Sequence, residues 1–260
     1  MGFVLYGDAG NTSFHVGLWD GQWLSDRRFA TEEILTAPEG CLTRLLGEAG
    51  LALQGCAGAL LSVNAPRSEA VSAAVEGVLG VPVRLLGRDV KIDLPVQYET
   101  PQAYGKDRLL GVFAARELVG SPCIVVDAGT CITCDALTAE GMVLSIGIAP
   151  GLSAFLSGVQ REAPALAEAL MPMSEDRHFV TLLPAESTAA SLSVGFLCAL
   201  AGTTEALVRA AYRALGARNG VSAVLTGGDG DLVRKLCTIP LRSEPLLLLE
   251  GLRRLDIPDR

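Results

Sequence analysis

The same short pattern opens both halves of the chain, and it constrains the fold more than any other feature. Phe3-Val4-Leu5-Tyr6 runs into Gly7-Asp8-Ala9-Gly10-Asn11-Thr12, and a β-patterned stretch from Ser13 to Trp19 follows. Cys123-Ile124-Val125-Val126 runs into Asp127-Ala128-Gly129-Thr130, and Cys131 to Leu137 follows. Each time an apolar strand ends on Asp-Ala-Gly and a hydroxyl or amide residue, and a hairpin comes next. A match of this kind in matched context reads as a structural duplication. The 260 residues suffice for two domains that each bury a core. We expect an α/β chain of two related domains with mixed sheets, divided as 1–104 and 105–260.

The remaining pattern fills in both halves. Gln22 to Phe29 completes a three-stranded meander after the Asp20-Gly21 turn. Helical periodicity covers 31–49 and 68–79, with buried strands at 57–63 and 81–86. The stretch from Asp93 to Tyr104 carries Pro95 and Pro101 and reads as a loop over a site. A helix is expected from Asp107 to Leu118. After the second hairpin come helices at 152–170 and 187–215, the latter broken near Gly202. The strand Ser222 to Leu225 then runs into Thr226-Gly227-Gly228, and a short helix and a last apolar element end the chain.

Composition narrows the function. Half the residues are hydrophobic and 19% are charged, which fits a packed globule. No uninterrupted apolar run reaches about 18 residues, and no basic flank with an apolar block marks a signal peptide. Cytoplasm, with no membrane association, is therefore the expectation. A net charge of −8 without a Lys/Arg cluster argues against nucleic acid. The seven cysteines are scattered through apolar segments and read as reduced; Cys131 and Cys134 form a lone C-x-x-C without a second pair. With only His15 and His178, histidine-based zinc or triad chemistry has few candidates.

The chemistry should sit at the glycine turns. Glycine lets backbone N–H groups come close to a ligand, and Asn11 and Thr12 add donors that suit phosphate oxygens. Magnesium keeps several waters and takes one or two carboxylates besides phosphate, so Asp8 at a strand end is sufficient protein ligation. Read singly, each turn is also an ordinary hairpin turn, and Asp107 is also a favourable acid in the first turn of a helix. Recurrence at Asp127 and at Thr226-Gly227-Gly228 favours the phosphate reading.

Three glycine turns after apolar strands resemble the architecture of the acetate kinase, sugar kinase, Hsp70 and actin superfamily. Finer motifs make the chain similar, over nearly its whole length, to the type III pantothenate kinases. Asp8-Ala9-Gly10-Asn11-Thr12 matches D-x-G-N-T. Tyr98 and Pro101 with Gly105-Lys106-Asp107-Arg108 match Y-x-x-P…G-x-D-R. Asp127-Ala128-Gly129-Thr130 with Thr133 and Asp135 matches D-x-G-T-x-x-T-x-D. Ile148-Ala149-Pro150-Gly151, Thr188 with Gly195, and Thr226-Gly227-Gly228 complete the set.

The resemblance implies two actin-like, ribonuclease H-like domains with the nucleotide in an interdomain cleft, and a homodimer joined through the second domain. It implies that Asp107 accepts the proton of the pantothenate primary hydroxyl, while Tyr98, Gly105, Lys106, Arg108 and Thr188 hold the substrate. Asp8, Ala9, Gly10, Asn11, Thr12, Ser13, Phe14, His15, Thr130, Gly227 and Gly228 would contact ATP. Asp8 would hold Mg²⁺ through water and Asp127 a monovalent cation, K⁺ or NH4⁺. The chain departs from the pattern at Ser145-Ile146, where the family has two glycines, at Ile132 for threonine and at Thr100 for asparagine. Another small-molecule kinase of the superfamily, or a catalytically weak nucleotide-binding regulator, are the alternative readings.

Overall fold

The computed structural model describes residues 2–63, 65–166, 169, 183–217 and 220–256; His178 lies outside them. The chain forms two compact units, Met1–Leu118 with Leu246–Arg260, and Val119–Pro245. In the first, β1 (Phe3–Ala9), β2 (Ser13–Trp19) and β3 (Trp23–Ala30) form the expected antiparallel meander, and β4 (Cys56–Val63) and β5 (Val83–Leu85) join it in parallel. The sheet order is β3-β2-β1-β4-β5.

Alternation decides which face is covered by what. Leu5 pairs with Leu18 and Ala9 with Phe14, so Phe3, Leu5, Ala9, Phe14, Val16 and Leu18 share one face. They are packed under Ile34, Leu42, Leu45, Val71 and Val75 of α1 (Thr31–Thr36), α2 (Pro38–Ala49) and α3 (Ser68–Leu79). One helix was expected over 31–49. The structure breaks it at Ala37, whose φ of −141° leaves the helical region just before Pro38, because a proline ring crowds the preceding residue out of that region.

A two-residue strand, β6 (Val96–Gln97), and α4 (Lys106–Val119) follow. The expected division at 104/105 does not coincide with the edge of the first unit, which keeps α4 through Leu118 and takes back the end of the chain. The reason is the other sheet face. Tyr6 and Leu60 point there, and Leu110 of α4 with Leu249 and Leu252 of the last helix, α8 (Leu247–Leu255), bury them. Tyr6 donates to Asp256 Oδ2 at 2.9 Å and Trp23 Nε1 to Glu250 Oε1 at 2.8 Å, tying α8 to the strands.

The second unit repeats the plan. Strands β7 (Cys123–Ala128), β8 (Cys131–Leu137) and β9 (Val143–Pro150) are an antiparallel meander, and β10 (Ser222–Thr226) and β11 (Arg242–Ser243) continue it in parallel. These five run β9-β8-β7-β10-β11, which is the order of the first sheet again, strand for strand. Helices α5 (Leu152–Glu162), α6 (Thr188–Ala214) and α7 (Gly230–Leu236) complete the unit. The helix expected over 152–170 is broken at Ala163, at φ −132° and ψ 66°, just before Pro164; 164–166 and 169 are helical again, and 167–168 and 170 lie outside the described residues. The break expected near Gly202 is absent. A mid-helix glycine costs only about 1 kcal/mol against alanine, and tertiary packing carries α6 through it. By length and composition α6 could cross a membrane, yet Leu200, Val208 and Ala211 belong to the core of the second unit with Ile124, Val126 and Leu225.

Candidate active site

The first Asp-Ala-Gly turn is held from behind. Gly10 N–H donates to Ser13 O at 2.9 Å, closing the β1–β2 hairpin, while Thr31 donates through Oγ1 to Gly10 O at 2.9 Å and through N–H to Thr12 O at 3.0 Å. Thr31 is fully buried at the start of α1, so the turn rests on a helix end. This leaves Asn11, Thr12 and Ser13 exposed. Phe14 and His15, expected among the ATP contacts, are buried instead: Phe14 sits in the core, and His15 Nε2 is 2.9 Å from Asp26 Oδ2. Burial, reinforced by the charge of Arg28, lowers the His15 pKa from 6.5 to about 4 against the pull of Asp26. His15 is therefore a neutral, fixed imidazole, and with its cross-strand partner Asp8 it belongs to the same sheet row.

Asp8 and Asp107 meet within the first unit. A pocket of about 260 Å³ is lined by Asp8 and Ala9 from the end of β1, Ser62 and Val63 from the end of β4, and Gln102 to Asp107 from the approach to α4. Both strand ends point there because β1 and β4 are parallel neighbours, with Asp8 opposite Ser62 in the register. Asp107 is exposed in the first turn of α4, its Oδ1 accepting from Arg108 N–H at 2.8 Å. A carboxylate in the first turn of a helix is favourable to the macrodipole. Lys106 lies with its Cδ, Cε and Nζ against Gly87, where a Cβ would come within 2.5–2.8 Å of them; the φ of +87° at Gly87 makes that turn glycine-specific. Arg108 stacks its Cζ 4.6 Å from the Tyr104 ring centroid, and Tyr98 meets the same ring edge-on at 5.5 Å.

In the second unit the ends of β7, β9 and β10 converge. Asp127 and Thr226 are register partners on parallel strands. Gly227, at φ +97°, packs so tightly that a Cβ there would stand 2.3 Å from Ala128 O and 2.5 Å from Asp127 Oδ1. Gly151 N–H donates to Thr130 O at 2.9 Å, and a Cβ on Gly151 would be 2.1 Å from Gly129 O. Gly228 has open space where its Cβ would be. The two glycines of Thr-Gly-Gly therefore serve different ends, Gly227 fitting against the Asp127 strand and Gly228 leaving room beside it. Thr188 is exposed at the first position of α6, after Ser187, whose Oγ accepts from Ala190 N–H at 3.1 Å.

Two of the departures from the motif pattern, Ile132 and Ile146, have local explanations. Ile132 is fully buried in the second core. Ile146 is the extra residue of a bulge, since Cys134 pairs with Gly147 and Asp135 with Ser145, and its side chain packs against that core. Both isoleucines add apolar burial, each roughly 1.5–3 kcal/mol when complete.

Three residues of the site escaped the sequence reading. Thr31 carries no local signal, because only tertiary folding brings α1 under the turn. Asp229 directly follows Thr-Gly-Gly, is buried, and its N–H donates to Ala128 O at 2.9 Å. Tyr104 abuts Gly105 and could have been picked out as a second aromatic beside Tyr98. Among the described residues no cluster of three or more His, Cys, Asp or Glu could cage a metal.

Comparison with known proteins agrees with this construction. The profile of the family described as type III pantothenate kinase matches residues 4–210. A type III pantothenate kinase from Moorella thermoacetica is 31% identical, with 95% of each chain covered. Among solved structures, the activator of the 2-hydroxyisocaproyl-CoA dehydratase from Clostridium difficile, with bound ADPNP, superimposes with a TM-score of 0.55 at 12% identity, covering 96% of this chain and 92% of that one. A ROK family glucokinase from Streptomyces griseus in complex with glucose and AMPPNP gives a TM-score of 0.50 at 14% identity, covering 97% and 99%. The fold is that of the actin-like ATPases and sugar kinases, and the twice-used sheet order, the two Asp-Ala-Gly turns and the profile match together make this chain a member of the type III pantothenate kinase family.

Proposed function

We infer that this chain transfers the terminal phosphoryl group of ATP to the primary hydroxyl of pantothenate, giving 4'-phosphopantothenate, the first step of coenzyme A biosynthesis. The observation that carries this reading is the pocket in which Asp8, the phosphate-turn acid, and Asp107, the acceptor-side acid, stand on one wall system of the same unit. An ordinary carboxylate, with a pKa near 4, does not ionise an alcohol beforehand. In a loose phosphoryl-transfer transition state it aims the oxygen in line and takes the proton late. Asp107 does this, with Gly105 and Lys106 beside it. Arg108 grips the acceptor carboxylate through its guanidinium fork, and Tyr98 and Thr188 hold the rest of the acceptor. Asn11, Thr12, Ser13 and Thr130 contact the nucleotide phosphates, and Gly228 gives its ring room.

Asp8 would hold Mg²⁺ through water and Asp127 a monovalent cation; bound there, these ions neutralise phosphate charge. The enzyme acts in the cytoplasm as a homodimer. Support for the dimer comes from α6, only 33% of whose most apolar stretch is buried, and from exposed Ile148 and Phe155 in the same unit.

The test is ADP release coupled to a second enzyme, with and without pantothenate and with and without K⁺. Turnover should require pantothenate and rise with K⁺. Asp107→Asn should lower kcat roughly 10²- to 10⁴-fold with melting temperature and ATP affinity unchanged. ADP release indifferent to pantothenate, or near-normal kcat in the variant, refutes the reading.

A further inference from the structure

We propose that Tyr104 is a positioning residue for acceptor recognition, its ring holding the Arg108 guanidinium and the Tyr98 ring in one packed unit beside Asp107. The inference rests on the reading that Arg108 grips the acceptor carboxylate. Tyr104 is only 5% exposed although it follows a loop, whereas Tyr98 is 42% exposed. A short 3-10 turn, Pro101–Ala103, sets its direction: Ala103 N–H donates to Thr100 O at 2.9 Å and Tyr104 N–H to Pro101 O at 3.2 Å. The chain leaves that turn extended, at φ −66° and ψ 132°, and enters α4 two residues later. Tyr104 lines the same pocket as Asp8 and Asp107.

The two ring contacts differ in kind. Arg108 Cζ lies 4.6 Å from the Tyr104 centroid, within the range of a cation–π contact. Tyr98 meets Tyr104 at 5.5 Å with planes at 76°, the edge-to-face arrangement aromatic quadrupoles favour. The contact places the guanidinium carbon over the ring, and a guanidinium so placed can still turn N–H groups toward a carboxylate. An unheld arginine must surrender much rotamer freedom on gripping a ligand. Tyr104 removes that loss before the acceptor arrives, and it does so without adding a charge that would compete with the carboxylate.

The effect belongs in acceptor affinity. Tyr104→Leu keeps an apolar side chain of similar reach without a π face, and should raise KM for pantothenate about tenfold, the span of a partly desolvated cation–π contact. KM for ATP should stay at its wild-type value, and the melting temperature should fall by only a few degrees, the loss of one buried ring's contacts. Tyr104→Phe, which keeps the ring, should restore most of the affinity. With a pantothenate analogue bearing a neutral primary amide in place of the carboxylate, wild type and Tyr104→Leu should bind alike. Tyr104→Leu should also add little to Arg108→Gln, since the tyrosine acts through the arginine. Equal losses for ATP and pantothenate, a penalty that persists with the amide, or multiplying effects in the double variant would overturn the proposal. If wild type phosphorylates pantothenate and Tyr104→Leu changes nothing, only this inference fails; if wild type ignores pantothenate, the reading beneath it fails too.

Discussion

Gly227→Ala is the substitution whose outcome the geometry fixes most tightly. Gly227 has a φ of +97°, in the region that costs an L-residue roughly 1–2 kcal/mol. Its new Cβ would stand 2.3 Å from Ala128 O, 2.5 Å from Ala128 C and 2.5 Å from Asp127 Oδ1. Two of these are backbone atoms in a strand paired on both sides, so relief requires moving the end of β7 or β10. Overpacking of that kind costs about 1–3 kcal/mol. The sum is on the order of 2–5 kcal/mol, which for a chain of this size lowers Tm by roughly 5–15 °C. The Asp127 carboxylate must shift as well, so turnover at a permissive temperature should fall with the stability. Gly228→Ala is the control: nothing lies within 4 Å of its Cβ position, so Tm should hold to within the equivalent of about 0.5 kcal/mol, while nucleotide affinity drops if a ligand ring passes there. Thermal unfolding and ADP release on both variants decide it. A Gly227→Ala protein melting within 2 °C of wild type, with normal turnover, would refute the packing account of this motif.

Two further outcomes follow from the first unit. Since burial lowers the His15 pKa from 6.5 to about 4, the folded chain keeps the imidazole neutral at pH values where the unfolded chain protonates it. The His15 contribution is intact above about pH 6.5 and is lost as pH falls toward 4; between pH 7 and 5 wild type should lose roughly 2 kcal/mol more than His15→Gln. Urea midpoints at the two pH values measure this, and equal losses in both proteins would show that His15 is not the titrating group. Gly87→Ala strains the +87° turn and pushes against the Lys106 side chain, which is flexible and can yield. We expect about 1 kcal/mol of destabilisation together with a several-fold fall in kcat/KM for pantothenate; unchanged kinetics would mean that the seat of Lys106 is irrelevant to the reaction.

Much of the fold was legible because duplication is written in residues. Asp8-Ala9-Gly10 and Asp127-Ala128-Gly129 end strands with the same neighbours, and the strands of both meanders fell where alternation or apolar runs put them, whereas the two-residue β6 (Val96–Gln97) lies in a stretch expected to be loop. Helix breaks were missed where a proline marks them, at Ala37 before Pro38 and at Ala163 before Pro164. Gly202 misled in the other direction, because an isolated glycine weakens a helix without ending it. The unit boundary was not legible. Nothing in the stretch 105–118 says that the opposite face of a sheet begun at Phe3 lacks a cover, or that Leu249 and Leu252 will return to supply it.

The candidate site divides along the same line. Sequence alone was enough to show the family, since carboxylates, glycine turns and hydroxyls keep their order along the chain. Tertiary structure decided which of them share a pocket. It buried the Phe14 and His15 side chains, put Asp8, Tyr104 and Asp107 in the lining of one pocket, separated the packing glycine from the open one, and brought Thr31 and Asp229 against the two turns. Proximity between residues far apart in the chain depends on strand register and on which face each helix covers, and those are fixed only when the apolar faces find each other.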